Sequence, residues 1–166
     1  MLLANAVVGL VQLVIAIVFA VVALYIGFAV LGKITQGIDE EKELAKGNIA
    51  VGILVASVFV AIALVVQSGV SGLSVGINKA LSVGILSVDG LLAIGVAFIQ
   101  LILGIVLAVG AIYLALNILD KLTQGVEEFE EIRRGNIAVA LEMAGMIVAV
   151  AVIIQSGVIG ITAALV

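Results

Sequence analysis

The sequence predicts an all-α membrane protein, with four transmembrane helices arranged as two hairpin repeats of the same orientation. Three observations carry this. The chain of 166 residues is 65% hydrophobic and only 11% charged, against about 45–50% and about 25% in soluble domains. So few charges cannot cover so much apolar surface, and lipid is the natural solvent. Long apolar runs flank two short charged stretches. The second half also repeats the first: residues 12–73 and 100–161 align without a gap, 88 positions apart, with 29 identities in 62. Compositional bias explains some of the Val, Ile and Ala matches. It does not explain Gln12/Gln100, Tyr25/Tyr113, Lys33/Lys121 or Gly47-Asn48/Gly135-Asn136.

The first helix is expected from about Ala6 to Gly32, apolar except for Gln12 and Tyr25. That exceeds the roughly 20 residues a span needs. No Lys or Arg precedes the run, and it outlasts the roughly 7–15 apolar residues of a cleaved signal, so a retained membrane helix is predicted. Thr35-Gln36-Gly37 should end it, with Gly37 in the left-handed cap position. Ile38 to Lys46 predict a short polar helix at the membrane surface, its acids forming a solvated face. Gly47 should stop that helix, and Asn48 should cap the next by accepting from N–H groups two or three residues on. The second span is expected from Ile49 to about Gln67. Residues 74–90 then form a Ser/Gly linker whose apolar positions recur at helical spacing. An amphipathic helix in the outer interface fits, with a disordered linker as the alternative. The third span (about Leu91 to Leu119), the charged loop 120–135 and the fourth span (about Asn136 to Gln155, capped by Asn136) repeat the plan. The chain thus divides into a first repeat, 1–73, the linker, 74–90, and a second repeat, 91–166.

Six of the seven basic residues lie in or beside the charged loops, and only Lys79 lies elsewhere. The positive-inside rule places loops 33–47 and 120–135 in the cytoplasm and both termini outside, in a multi-pass protein of the cytoplasmic membrane. Two spans per repeat give both repeats one orientation. Cys and His are absent, which excludes thiol catalysis, disulfides and the usual zinc ligands. No catalytic set, cofactor or metal site is expected, and the loop acids lack the ligand spacing of a calcium loop. No basic patch suits nucleic acid.

Polar residues within the spans are the candidate functional positions. Gln12 shares a helix face with Ala16, Ala20 and Gly27; Gln100 shares one with Gly104, Ala108 and Ala111. Small residues let membrane helices approach, and polar ones bond across. Gln12 and Gln100 are therefore expected to be packing contacts, with Gln67 and Gln155 as partners at similar depth. The alternative is a polar ring lining an outer vestibule. Tyr25 and Tyr113 read as interface anchors. Glu142 is the one clearly intramembrane acid, about 9 Å past the Asn136 cap, where the first repeat has Leu54. It should point at another helix, with Asn117 and Tyr113 as partners. Asn117 likewise stands where the first repeat has Ala29. The three make either a hydrogen-bonded packing cluster or an ion- or proton-linked site.

The tandem order of apolar span, Thr-Gln-Gly, acidic stretch, Gly-Asn, small-residue span and closing Ser-Gly resembles the YjfL-like family of bacterial and archaeal membrane proteins. In this chain those motifs are 35–37, 47–48 and 68–69, then 123–125, 135–136 and 156–157. The resemblance covers nearly all of the chain except the linker. It implies a small inner-membrane protein with a domain of unknown function, and it implies no activity. Glu142 departs from the family pattern, in which the second span is free of acids. The expected role is a structural or accessory subunit, embedded in the lipid bilayer and assembling with itself or with other membrane subunits. A small oligomeric ion or proton channel with Glu142 in its path is the alternative. An enzyme is not expected.

Overall fold

A computed structural model describes residues 2–35, 38–122 and 127–165. Side-chain placements are described for 6–29, 31–32, 35, 38–107, 109–110, 112–114, 127–161 and 163–164. Six helices follow in order among them: α1 (Leu2–Ile34), α2 (Glu40–Ala45), α3 (Ile49–Val83), α4 (Val88–Leu122), α5 (Glu128–Arg133) and α6 (Ile137–Leu165). The four long ones are apolar enough to cross a membrane. The short helices α2 and α5 sit in the charged turns. The expected cap at Gly37 and the motif at 123–125 lie outside the described residues.

The turns are built as the residue types demand. Gly47 and Gly135 take φ of +79° and +88°, a left-handed conformation that costs glycine nothing. Each is followed by an asparagine cap. Asn48 Oδ1 accepts from the Ala50 and Val51 amides at 3.1 and 3.3 Å. Asn136 Oδ1 accepts from Ala138 and Val139 at 3.1 and 3.4 Å. At the far end, Gly84 (φ +97°) caps α3, and Ser87 Oγ accepts from the Gly90 amide at 3.0 Å to open α4.

The linker is helical as expected up to Val83, but it is continuous with the second span rather than a separate helix. The second span does not stop near Gln67; α3 continues for 35 residues to Val83. At 1.5 Å per residue it is about 52 Å long, well beyond the roughly 30 Å apolar slab. Packing on α4 keeps a Ser- and Gly-rich stretch helical, and its hydroxyls are satisfied within the helix. The hydroxyls of Ser71, Ser74 and Ser82 bond back to the carbonyls of Gln67, Val70 and Lys79 at 3.0, 3.1 and 2.7 Å. The glycines bring α4 close. A Cβ on Gly76 would stand 2.5 Å from the Ala97 Cβ and 2.9 Å from the Ala93 carbonyl oxygen. Helix α6 likewise runs past Gln155 to Leu165.

Helix α3 is the hub. It packs on α4, α6 and α1, and α4 packs on α6. Its most apolar stretch is 56% buried, against 6% for α1, 24% for α4 and 22% for α6. The core joins Leu54, Val58 and Val65 of α3 to Met143, Ile147 and Ala151 of α6. A Cβ on Gly27 would run into Ile62, so α1 crosses α3 closely there. The charged turns meet: Asn48 Nδ2 donates to the carbonyls of Ile132 and Arg133 at 3.1 and 3.0 Å. Both therefore lie at one end of the bundle.

Candidate functional site

Most of the charged side chains gather at that end. Two loop acids are not the solvated face that their composition predicts. Glu40 and Glu128 are 8% and 3% exposed. Each opens a helix of only six residues, and the short turn folds the first acid back under the bundle. The Thr35 hydroxyl, itself fully buried, lies in hydrogen-bond contact with a Glu40 carboxylate oxygen and with the Leu31 carbonyl at 2.9 Å. Both Glu128 oxygens are without a hydrogen-bond partner among the described residues. Thr123, the counterpart of Thr35, lies outside them.

The duplication carried a signal for these acids. Of the loop acids at 39–43, only Glu40 and Glu43 recur unchanged 88 positions on, as Glu128 and Glu131. Glu43 and Glu131 accept from the cap asparagines, Asn48 at 3.2 Å and Asn136 at 2.8 Å. The Glu43 carboxyl is held below its ordinary value by hydrogen bonds from Lys46 and Asn48. The ion pairs around them, Lys42–Asp39 and Lys46–Glu43 at 2.6 Å and Arg133–Glu130 at 2.8 Å, involve exposed basic side chains. Such pairs contribute about 0–1 kcal/mol.

Among the described residues no hydrogen bond joins the intramembrane candidates Gln12, Gln67, Gln100, Gln155 and Glu142 to one another. Gln100 is 5% exposed and Gln12 half-buried, and neither amide nitrogen finds a hydrogen-bond partner among the described residues. Gln67 is exposed and Gln155 half-buried. No described side-chain hydrogen bond joins them to Gln12 or Gln100, so the expected cross-helix pairs are not made. Helices α1 and α4 present these glutamines to different surroundings, because α4 lies against both α3 and α6 while α1 is covered mainly by α3. Glu142 does not turn inward either. It is exposed on the outer face of α6 and makes no hydrogen bond or ion pair among the described residues. Tyr113 is half exposed and Tyr25 largely so, at 50% and 77%. The Asn117 side chain lies outside the description.

One cleft, of about 330 Å³, opens between α3 and α4 toward the opposite end. Gly72, Gly76 and Ala97 form its apolar wall, with Lys79, Asp89 and Gln100 as its polar lining. Among the described residues no group of three or more acids stands close enough to hold a metal ion. The arrangement caps helices, buries two carboxylates and leaves a third facing out of an apolar span. No curated protein and no solved structure matches the chain. The model of the family described as Domain of Unknown Function (DUF350) matches residues 3–106 and again 91–166, so both repeats are covered and the chain belongs to that family.

Proposed function

We propose that this chain is a non-enzymatic structural or accessory subunit of a membrane assembly. It sits in the cytoplasmic membrane with its charged loops on the cytoplasmic side and both termini outside. Its partners are lipid and either further copies of itself or other membrane subunits. The observation that carries the reading is Glu142, an exposed acid on an otherwise apolar span. An acid facing lipid is costly, about 2.5–3.5 kcal/mol at mid-membrane, and protein covering the α6 face removes the exposure. Native mass spectrometry from nanodiscs tests this. A closed oligomer or a co-purifying subunit is expected; a bare monomer at all concentrations would sink the reading.

The same residue favours a second reading, a small oligomeric ion or proton channel in which copies bring Glu142 to a shared path. It requires that Glu142→Gln alter flux through proteoliposomes while leaving the oligomer mass unchanged. Unaltered flux eliminates it.

A further inference from the structure

The two repeats are alike in sequence and unlike in burial. On α3, Ala50, Leu54, Ala61 and Leu73 are 0–1% exposed, yet their counterparts on α6, Ala138, Glu142, Ala149 and Ile161, are all exposed. The reverse holds for another set. Leu101, Ile132 and Ile147 are fully buried, while their first-repeat counterparts Leu13, Leu44 and Phe59 are 55%, 40% and 37% exposed. Each hairpin supplies its own first helix, α1 for α3 and α4 for α6, so the difference comes from the other repeat. Repeats facing one another across a two-fold axis would bury the same positions in both. These bury complementary positions, so the back of the first repeat is seated on the front of the second, head to tail. One back, on α6, and one front, on α1 and α2, remain without a partner.

Lipid can cover the apolar part of those leftover faces, but two features of the internal contact call for protein. One is steric. Gly69 takes Leu101 so closely that an added Cβ would lie 3.3 Å from the Leu101 Cα and 3.6 Å from its Cβ. Its counterpart Gly157 keeps the glycine but faces open space. The other is polar. Asn48 donates to Glu43 of its own repeat and to the Ile132 and Arg133 carbonyls of the next. Among the described residues Asn136 keeps only the first of these bonds, to Glu131. The carbonyls at the equivalent positions are those of Leu44 and Ala45.

We propose that a second copy of this chain occupies the free face, repeating the internal contact between molecules. Its α1 lies on α6 as α4 lies on α3, with Leu13 of the second copy against Gly157. The Leu44 and Ala45 carbonyls of that copy meet Asn136. Such a contact is heterologous: it closes into a ring if the rotation divides a full turn and otherwise runs on as a filament. The proposal rests on the assembly reading and specifies its geometry.

The chain has no cysteine, so paired substitutions test it cleanly in native membranes. Two differently tagged full-length chains are co-expressed, one carrying Leu13→Cys and the other Gly157→Cys, and then oxidised. A cross-linked heterodimer is expected, and a ladder when both substitutions share one chain. Gly69→Cys with Leu101→Cys should close within a single chain, since their Cβ separation suits a disulfide, and this reports that the variants fold. Gly95, exposed with nothing within 4 Å, gives the off-interface control with Leu13→Cys. The proposal is overturned if the internal pair closes and the 13/157 pair does not. It is equally overturned if Gly157→Cys alone links to itself, which would mean a two-fold contact. An oligomer by mass spectrometry without the 13/157 link removes this interface and leaves the assembly reading standing. A monomer removes both.

Discussion

Asn48 and Asn136 are equivalent residues with unequal tasks. Both cap a long helix and both bond a loop glutamate, but among the described residues only Asn48 reaches the other repeat, at 3.1 Å to the Ile132 carbonyl and 3.0 Å to that of Arg133. Asn136→Ala should cost the monomeric protein about 1 kcal/mol, the worth of an N-cap. Asn48→Ala should cost more, roughly 2–4 kcal/mol, because two inter-repeat hydrogen bonds at about 0.5–1.5 kcal/mol each go with the cap. Denaturant unfolding of the two variants in detergent measures the gap. Equal losses in monomer would show that the contact between the charged turns contributes nothing.

The buried Thr35–Glu40 contact gives a second expectation. Thr35→Val keeps the volume and removes the hydroxyl, leaving a buried carboxylate oxygen without its partner. A loss of about 1–3 kcal/mol follows, read as a lowered unfolding midpoint. Thr35→Ser keeps the hydroxyl and should recover most of it. A Val variant as stable as wild type would remove this contact from the account of the turn.

Much of this was legible from residues alone. The four spans follow from hydropathy, the duplication from the constant 88-residue offset, and the caps from the Gly-Asn pairs. The end of α3 was not legible. Gly69, Gly72 and Gly76 read alike in a linker and at a close helix crossing, and only the position of α4 decides between them. Glu40 and Glu128 read as surface charge because a six-residue helix carries too few positions to reveal its inner face. The unequal burial of the repeats could not be read at all, since Gly69 and Gly157 are the same residue in nearly the same local sequence.

That last pair makes a sharp steric prediction. Gly69→Leu should damage the fold, because the added side chain runs into Leu101 and overpacking typically costs about 1–3 kcal/mol. A Cβ on Gly157 meets nothing within 4 Å, and Gly157→Leu replaces a poor helix former on an exposed face, so the monomer should be unchanged or up to about 1 kcal/mol more stable. Thermal unfolding in detergent compares them. A Gly157→Leu monomer as damaged as Gly69→Leu would contradict the open face on α6.

The charged loop should respond to acid. Hydrogen bonds from Lys46 and then Asn48 lower the Glu43 carboxyl below 4.5, and a hydrogen bond from Lys42 lowers Asp39 below 3.8. For groups lowered in the folded state, the stabilisation is full above the ordinary value and is lost as pH falls through the folded one. Stability should therefore hold down to about pH 5 and fall below it. Glu43→Gln should flatten part of that decline. Unfolding midpoints across the acid range, wild type beside Glu43→Gln, decide it; parallel curves would mean that Glu43 carries none of the dependence.

Glu142 connects stability to assembly. Its side chain makes no hydrogen bond or ion pair among the described residues, and its counterpart is the fully buried Leu54. Glu142→Leu should therefore leave the monomer fold intact while removing the burden of an acid in an apolar face, up to about 2.5–3.5 kcal/mol. If covering α6 in an assembly relieves that cost, the variant loses the relief and shifts toward smaller species at equal protein-to-lipid ratio. If α6 only faces lipid, the variant inserts better and its mass distribution does not move. Glu142→Gln separates charge from size: it should shift assembly in the same direction as Leu, by less. Sedimentation in detergent across a concentration series resolves the three proteins. A Leu variant that shifts toward larger species would mean that the acid opposes the contact, and would remove Glu142 as the reason for assembly.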